Sequence, residues 1–265
     1  MTPSPIEKST NAYWSELWSA SDVPTAIDPT DRSLRNHVNI AFHNFFRGWL
    51  AGASAPRSLV ELGAARSAWL PCFHKQYGLD VTGIDYSEVG CEQSRQVLAH
   101  SQVPGEVHCA DVFAPPPDLM HRFDAAFSMG LVEHFSDTAA CLRACALFVR
   151  PGGILITVIP NMRGAVGLLQ RLLVRAVYDI HIPLTAADMA AAHAQAGLSV
   201  LECRYFLFLS FGVVNLDRIR GTGWGLFVAR GLNALSMAVW WLERLGLRLP
   251  PTWFLSPYIV CVARV

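Results

Sequence analysis

The chain has 265 residues, of which 52% are hydrophobic and only 16% are charged, and its 21 basic residues balance its 21 acidic ones. A chain without a basic excess lacks the electrostatic footprint of a nucleic-acid-binding protein, so no nucleic-acid partner is expected. The length fits one α/β domain with additions. The low charge indicates a large core, an apolar substrate pocket, or a surface that meets a membrane or another subunit.

The cysteines and the N-terminus predict a cytoplasmic protein. The seven cysteines are odd in number and include no Cys-x-x-Cys pair, which argues against a disulfide framework and a structural zinc site. Residues 1–10 are polar, contain two prolines and lack the apolar stretch of a signal peptide. We therefore expect a protein that is not exported.

Hydrophobic patterns predict a doubly wound α/β sheet with an N-terminal addition. Residues 11–50 have helical spacing, and with a small-residue linker they make a helical lid over 1–55. In the core, residues 56–210, the predicted strands are 57–62, 79–84, 105–110, 122–129, 153–159 and 198–209. The predicted helices are 66–77, 87–100, 135–149 and 185–196, and a turn is expected at Pro151–Gly153. Such alternation predicts parallel strands that bind ligands at their carboxyl ends.

Residues 211–251 interrupt this alternation as a helical insertion, before a last core strand within 252–265. An apolar stripe from Leu232 to Gly246 indicates a helix. Its uncharged part is about a dozen residues, fewer than the roughly 20 that cross a bilayer, so no transmembrane span is expected. The stripe could pack on the main domain, which is compatible with a monomer, or on a second copy of the chain in a homodimer. It could also form a wall of an apolar pocket, or contact a membrane surface.

The first strand, turn and helix predict a nucleoside site. The chain turns at Gly63, and Asp85 ends the next strand 22 positions later, the spacing at which a carboxylate meets ribose hydroxyls. The second and third glycines of a dinucleotide loop are absent. Glu61, just before the turn, would repel phosphate and favour a cationic ligand such as S-adenosylmethionine, which carries a sulfonium and an ammonium group. A nucleoside without phosphates is therefore favoured over NAD.

Two later segments place polar side chains at the same edge of the sheet. Asp111 follows the third strand, where its carboxylate could accept a hydrogen bond from the adenine amino group. The fourth strand breaks at Met129–Gly130, which leaves Glu133 and His134 at the mouth of the site.

These segments resemble those of class I S-adenosylmethionine-dependent methyltransferases that act on small molecules. The matching pieces are Glu61-Leu-Gly63, Asp85, Asp111, the stretch from Phe123 to His134, and Arg150-Pro-Gly-Gly153. The resemblance implies a seven-stranded, Rossmann-like sheet with S-adenosylmethionine as cofactor. The cofactor-binding residues that it implies are Glu61, Gly63, Ala64, Asp85, Tyr86, Asp111, Val112, Ser128, Met129 and Gly130. The glycine loop departs from the family pattern, since Ala65 and Ser67 stand where glycines are common.

Two histidines are candidates for a catalytic base, which methyl transfer requires only when the acceptor must lose a proton. His134 and His181 qualify because a neutral imidazole accepts a proton near physiological pH. No metal is expected. Glu133 and His134 could instead be metal ligands, as in some quinone-type methyltransferases that this segment resembles, but the sequence shows no identifiable third ligand.

Substrate contacts are expected from the lid and from the rim of the sheet. Aromatic faces attract a sulfonium, and the residues expected near the substrate are Tyr13, Trp14, Trp18, Glu133 and Asn161. The sequence thus predicts an enzyme that methylates an oxygen, nitrogen or sulfur of a small, partly apolar molecule. One alternative is a lipid or quinone methyltransferase at the membrane surface, and another is a non-catalytic scaffold subunit that keeps the cofactor. An NAD-dependent dehydrogenase is disfavoured by the missing glycines.

Overall fold

The computed structural model describes residues 7–52 and 55–265, in which seven strands form a single sheet. The strands are β1 (Ser58–Leu62), β2 (Asp80–Asp85), β3 (Gly105–Cys109), β4 (Phe123–Met129), β5 (Val149–Pro160), β6 (Ser199–Phe206) and β7 (Tyr258–Arg264). The helices are α1 (Asn11–Ser19), α2 (His37–Leu50), α3 (Leu70–Tyr77), α4 (Glu88–His100), α5 (Thr138–Ala146), α6 (Ala165–Leu173), α7 (Arg175–Asp179), α8 (Ala186–Gln195), α9 (Asp217–Arg220) and α10 (Gly223–Arg244).

The strand order is β3-β2-β1-β4-β5-β7-β6. Strands β1 to β5 are parallel, whereas β7 lies antiparallel between β5 and β6. The predicted fold class, a doubly wound and mostly parallel seven-stranded sheet, is therefore confirmed. The chain reverses its direction of travel across the sheet between β1 and β4, which opens a crevice at the carboxyl ends of these strands.

Both faces of the sheet are covered, because successive side chains of a strand point to opposite sides. In β1, Leu59 packs into one core layer and Val60 into the other, and both are fully buried. The first layer contains residues of α2, α3 and α4, and the second contains residues of α5 and α8. Burial on both faces explains why the strands read as continuous apolar runs.

Helix α2 belongs to the core, so it is not part of a lid. Phe42 and Phe46 are 1% and 0% exposed and pack against aromatic residues of the main domain, with ring centroids of Phe46 and Phe127 5.2 Å apart. The predicted helical region 11–50 is two helices, separated by residues 20–36. Only α1 and the residues just before it form a lid. Residues 1–6 and 53–54 lie outside the described part of the chain, so the reading of the N-terminus and the boundary at residue 55 stay predictions.

Three predicted boundaries are wrong for local reasons. Helix α3 begins only at Leu70, because Arg66 has a left-handed backbone with φ 57°. Helix α5 begins at Thr138, where the Asp137 carboxylate caps it by accepting from the Ala140 amide at 2.8 Å. Residues Pro151–Gly153 lie within β5, beside a register shift against β4, and are not a turn between elements.

The helices farthest from the first glycine loop differ most from the prediction. Helices α6 and α7, between β5 and α8, have no counterpart in the predicted elements. Helix α10 has 22 residues in all, and its uncharged part, residues 231–242, has the dozen residues expected. By length and composition alone, the helix is long and apolar enough to cross a membrane. Its most apolar 18-residue stretch has a mean hydropathy of 1.2, and 17% of that stretch is buried. The length argument against a span therefore fails.

Candidate active site

A cavity of about 500 Å³ opens at the carboxyl ends of the strands, where the sheet order changes direction. It collects most of the residues that the sequence singles out, namely Tyr13, Trp14, Trp18, Gly63, Asp85, Tyr86, Asp111, Val112, Met129, Gly130, Glu133, His134 and His181. Four other candidates, Glu61, Ala64, Ser128 and Asn161, do not line it. The cavity therefore contains the predicted ribose, adenine and methyl-side positions together with both candidate bases.

Two glycine turns shape the floor of the cavity. Gly63 has φ 74° and Gly130 has φ 77°, in the left-handed region that favours glycine. The amides of Gly63 and Ala64 both donate to the Ile84 carbonyl, at 2.9 and 3.0 Å, which fixes the first turn against β2. The backbone after β1 and β4 therefore turns sharply and leaves space for a ligand.

Asp85 lies at the end of β2 with its carboxylate at the cavity wall. Its Oδ2 accepts from the Ala65 amide at 3.0 Å, and its Oδ1 accepts from the Ser87 amide at 2.8 Å. Burial raises the pKa of this carboxyl to about 6, although the backbone hydrogen bonds oppose that rise. The carboxylate is thus held in one orientation at the position that the spacing predicts for ribose hydroxyls.

The glycine that is missing from position 65 is compensated on α4. A Cβ atom added to Gly90 would lie 2.5 Å from the Ala65 methyl and 3.1 Å from the Ala65 Cα. Gly90 therefore provides the space that Ala65 occupies. The loop keeps a close approach to α4 with alanine on the loop and glycine on the helix.

Replacing Gly90 by Ala should destabilise the protein by about 1–3 kcal/mol, because the new methyl overpacks against Ala65. Chemical denaturation measures this change. The double variant Gly90→Ala with Ala65→Gly should recover most of the loss, since it removes the clashing methyl. Equal destabilisation of the single and double variants would show that the two positions are not coupled.

Glu61 does not contribute a charge to the cavity, contrary to the prediction. Its Oε2 accepts from the Ser67 hydroxyl at 2.5 Å, and that hydroxyl accepts in turn from the Leu70 amide at 3.1 Å. Burial raises the pKa of Glu61 to about 8. The residue ties the end of β1 to the start of α3, and its side chain does not select a cationic ligand.

The other three residues outside the cavity have structural positions. Ala64 is buried in the loop, and Ser128 is fully buried in β4. The Asn161 amide donates to the Trp253 and Ser256 carbonyls, at 2.8 and 2.9 Å, and so fixes the segment before β7. The predicted substrate contact of Asn161 is therefore replaced by a role in holding this loop.

Asp111 and Val112 follow β3 and line the same cavity. The Asp111 Oδ1 accepts from the Phe113 amide at 2.9 Å, which closes a local turn. Val112 is 7% exposed and presents an apolar surface beside it. This pair can hold a flat base between an apolar contact and a carboxylate acceptor.

Glu133, His134 and His181 converge in the wall of the cavity. One ligand-type atom from each lies within 4.8 Å of the others, and all three residues are buried. The Nδ1 atom of His134 bonds the Ile180 carbonyl at 2.9 Å, and that of His181 bonds the Val177 carbonyl at 2.6 Å. A carbonyl only accepts, so each Nδ1 carries the proton and each Nε2 has a free lone pair. His181 is therefore the third member of the group that the sequence could not identify.

The charges of this group are suppressed by burial. Burial raises the pKa of Glu133 to about 8 and lowers that of His134 to about 3, and it also lowers the pKa of His181. Neither carboxylate oxygen of Glu133 has a hydrogen-bond partner among the described residues. Buried polar atoms without partners are costly, so this part of the cavity is suited to a ligand that supplies hydrogen bonds or positive charge.

Replacing Glu133 by Gln should raise the melting temperature of the empty protein more at pH 8 than at pH 5. The raised pKa means that the folded protein holds a proton that the unfolded chain releases above about pH 4.5. Wild-type stability therefore falls as pH rises toward 8, whereas glutamine has no proton to lose. Thermal melts across this range measure the difference, and a pH-independent effect would contradict the raised pKa.

Helix α1 and the residues before it cover the cavity. The Lys8 amide donates to the His134 carbonyl at 2.8 Å, and the Tyr86 hydroxyl donates to the Glu7 carboxylate at 2.6 Å. Trp14 meets His134 edge-on with ring centroids 5.1 Å apart, and it stacks on Trp18 at 5.4 Å. The predicted aromatic lid is thus in contact with one of the candidate bases.

Sequence reasoning missed several residues of the cavity wall. They are Glu7, Ser9, Leu17, Leu131, Met162, Gln170, Val177, Ile180, Val213, Asn215 and Tyr258. Four of them, Gln170, Val177, Val213 and Asn215, come from α6, α7 and the segment before α9, which the strand-and-helix pattern did not reveal. The sequence does contain a signal for α6, because the apolar residues from Ala165 to Leu173 have helical spacing.

Comparison with known proteins identifies one domain of the chain. The sequence pattern of the family described as Methyltransferase domain matches residues 60–157. These residues form a methyltransferase domain. The matched residues run from β1 into β5 and include the glycine turns, Asp85, Asp111 and the Glu133–His134 pair.

Two curated relatives of this methyltransferase domain are bacterial enzymes. The chain is 29% identical to a ubiquinone biosynthesis O-methyltransferase of Bordetella avium over 56% of the chain and 65% of that protein. It is 31% identical to the protein of the same name from Stutzerimonas stutzeri over 48% of the chain and 58% of that protein. The chain spans less than two thirds of the length of either relative.

Solved structures confirm the fold of the methyltransferase domain across nearly the whole chain. A geranyl diphosphate C-methyltransferase from Streptomyces coelicolor superposes with a TM-score of 0.61 at 12% identity, covering 96% of this chain and 97% of that one. The cyclase SpnF superposes with a TM-score of 0.58 at 15% identity, covering 98% of each chain. Because one neighbour is named a cyclase, the reaction must be argued from the site and not from the fold.

Proposed function

We propose that this protein is an S-adenosylmethionine-dependent O-methyltransferase that acts on a hydroxyl of a small, partly apolar, quinone-type molecule. The observation that carries the proposal is that two groups of side chains line one cavity. Asp85, Asp111 and the turn at Gly63 form one group, here called the first end, and Glu133, His134 and His181 form the other, here called the second end. The first end suits a nucleoside, and the second suits a group that must lose a proton.

The first end fits S-adenosylmethionine by its donor and acceptor set. The Asp85 carboxylate can accept from ribose hydroxyls while its orientation is kept by two backbone amides. Asp111 accepts from the adenine amino group, and Val112 supplies the apolar contact. The left-handed turns at Gly63 and Gly130 leave the backbone open beside the methionine part. When bound, this cofactor supplies an electrophilic methyl group on a positive sulfur.

The second end provides bases for a hydroxyl acceptor. With the cofactor held by the first end, its methyl group would be available to the acceptor oxygen, and the sulfur would keep the electrons of the broken bond. The hydroxyl proton would go to the free Nε2 of His134 or His181, each of which is kept in the correct tautomer by a backbone carbonyl. Burial lowers the pKa values of both histidines, so both are neutral in the empty protein and each Nε2 can accept a hydrogen bond from the hydroxyl.

The acceptor class is supported by the apolar wall and by the relatives. Val177, Ile180 and Val213 line the cavity beside the bases and can contact an apolar substituent. Both curated relatives named above are called ubiquinone biosynthesis O-methyltransferases. A phenol or catechol with an apolar tail therefore fits the site better than a fully polar acceptor does.

Transfer of labelled methyl groups tests the proposal. The full chain is incubated with methyl-labelled cofactor and a series of catechols that differ only in the length of an alkyl tail. We expect label in the ether product, with kcat/KM increasing with tail length. Calorimetry that detects no binding of the cofactor or its demethylated product would overturn the proposal. Cofactor binding without transfer to any phenol or catechol would instead favour the scaffold alternative.

A divalent cation at the second end is a further candidate, favoured by the three converging ligand atoms. A carboxylate with two unpartnered oxygens and two imidazoles whose Nδ1 atoms bond backbone carbonyls form a donor set typical of metal sites. Such a mixed set suits Mn²⁺, Fe²⁺ or Zn²⁺. A bound cation would favour the ionised form of an acceptor hydroxyl. Dialysis against a chelator followed by titration with Mn²⁺ tests this site, and no binding by the wild-type protein would exclude it.

Location and assembly stay predictions. We propose a cytoplasmic protein, because its seven cysteines are all free thiols. Either a monomer or a homodimer is compatible with the described residues, and sedimentation of the full chain distinguishes them.

A further inference from the structure

Helix α10 presents an apolar face outward. Its inner face is the stripe Gly225, Ala229, Leu232, Ser236, Trp240 and Glu243, which repeats at helical spacing and is buried or half-buried. The opposite face is exposed and consists of Trp224, Phe227, Gly231, Ala234, Leu235, Ala238, Trp241 and Leu242. We call these eight residues the outer face. Phe227 is 76% exposed and Trp224 is 58% exposed, and the outer face contains no charged residue.

The inner face holds α10 against the body along its length. The Ser236 hydroxyl accepts from the Phe211 amide at 2.9 Å, and the Trp240 indole donates to the Leu209 carbonyl at 2.8 Å. Farther along, the Glu243 carboxylate lies 2.9 Å from the His37 Nε2. A transmembrane orientation would break these contacts. The helix is therefore arranged to lie flat on a surface with its outer face toward it.

Neighbouring elements extend the apolar surface. Val228 and Leu232 of α10 pack in one cluster with Leu169 of α6, and α6 exposes Leu168 and Leu172 at 50% and 72%. An exposed apolar area of this kind on a folded protein marks a contact surface.

The two segments that carry this surface have more basic than acidic residues although the chain as a whole is neutral, and of their arginines Arg175 and Arg220 form ion pairs with Asp179 and Asp217. Residues 163–175 and 211–251 carry two acidic side chains, Asp217 and Glu243, and eight arginines: Arg163, Arg171, Arg175, Arg218, Arg220, Arg230, Arg244 and Arg248. Arginines beside an exposed apolar helix are complementary to anionic lipid headgroups, and each contributes to binding at an anionic surface. A second copy of this chain would bring the same positive charge to the contact, so charge favours a bilayer over a homodimer.

The same elements form one wall of the cavity. Gln170 of α6 bonds both backbone groups of Asn215, which lies just before α9, at 2.8 and 3.0 Å. Both residues line the cavity, as does Val177 of α7. The surface that carries the exposed apolar residues is therefore continuous with the part of the cavity that would receive an apolar tail.

We propose that the outer face of α10, with Leu168 and Leu172 of α6, docks on an anionic bilayer, so that the acceptor enters the cavity from the lipid. The proposal rests on the proposed function for the nature of the acceptor, but docking can be measured without catalysis.

Co-sedimentation of the full chain with vesicles tests docking. We expect binding to vesicles of phosphatidylcholine mixed with phosphatidylglycerol and weaker binding to phosphatidylcholine alone. The variant Trp224→Ser with Phe227→Ser should bind both about tenfold more weakly or worse. The variant Arg230→Ser with Arg248→Ser should lose about tenfold only on the anionic vesicles. Leu201→Ser, at a residue of β6 that is 42% exposed, is the matched control and should bind like the wild type.

Three outcomes would overturn docking. They are no vesicle binding by the wild type, retention in the membrane after alkaline carbonate washing, and a dimer in sedimentation that Phe227→Ser dissociates. Retention would show that α10 spans the bilayer, and the dimer would show that a second copy covers the face. Calorimetry with the demethylated cofactor is done on the same samples. Cofactor binding without vesicle binding contradicts docking alone, whereas vesicle binding without cofactor binding contradicts the proposed function alone.

Discussion

Replacing His134 by Gln should lower kcat for a phenolic acceptor by about 100-fold or more, the scale for losing a general base. The glutamine is of similar size, but it offers no basic nitrogen to the acceptor. Single-turnover transfer of labelled methyl groups measures the loss of rate. Binding of the demethylated cofactor should stay within about threefold, because the proposed nucleoside contacts come from Asp85 and Asp111.

Two comparisons separate catalysis from folding. His100→Gln, at the exposed end of α4, should leave kcat unchanged. His181→Gln should lower kcat as well, and the double variant should lose less than the product of the two single losses if the histidines act as a unit. If His134→Gln and His181→Gln both keep kcat within about twofold, neither histidine is the base.

The pH dependence of the wild-type rate gives an independent readout. Because burial lowers the pKa values of His134 and His181, their neutral forms persist below the ordinary histidine value of about 6.5. We therefore expect kcat to stay level as pH falls through 6.5 and to decline only at lower pH.

Replacing Asp85 by Ala should weaken binding of the demethylated cofactor by about 1.5–3 kcal/mol, or roughly 10- to 150-fold, the scale for losing hydrogen bonds to a charged group. Isothermal titration calorimetry measures this change. Asp80→Ala, at the exposed start of the same strand, is the control and should bind normally. Unchanged affinity of Asp85→Ala would remove the ribose assignment.

Binding by the wild-type protein should also depend on pH. The pKa of Asp85 is raised to about 6 in the empty cavity, and a protonated carboxyl accepts fewer hydrogen bonds from ribose. Affinity should therefore weaken as pH falls through about 6 and stay constant above it. The Asp85→Ala variant should not show this dependence.

Local sequence patterns were sufficient to predict that Gly63 and Asp85 lie at the same cavity. Neighbouring residues alone determine where the strands end, at Leu62 and Asp85, and where the chain turns, at Gly63. The positions of these residues along the chain therefore predict their positions in the fold. The same reasoning failed for Glu61, because its carboxylate is taken by the Ser67 hydroxyl and buried. A motif shows where a residue stands on the backbone but not which partner its side chain finds.

Long-range packing decided the remainder. His181 is distant in sequence from Glu133, and only the return of the chain after α7 brings the two together. The sequence predicted helix α2 to be part of a lid, because an apolar face does not show which element it packs against. In the structure this face packs against the sheet.

By itself, the sequence determined a parallel α/β sheet, the glycine turn at Gly63 and the carboxylate of Asp85 at the ligand edge, since periodicity and turn chemistry are local properties. Only the tertiary structure decided that His181 completes the group around Glu133, that Gly90 accommodates Ala65, and that α10 turns an apolar face outward. The reason is physical: burial, pKa and exposure depend on atoms supplied by distant parts of the chain. In α10 the outer face is wholly apolar whereas the inner face contains Ser236 and Glu243, so hydropathy alone would assign the wrong face to the interior.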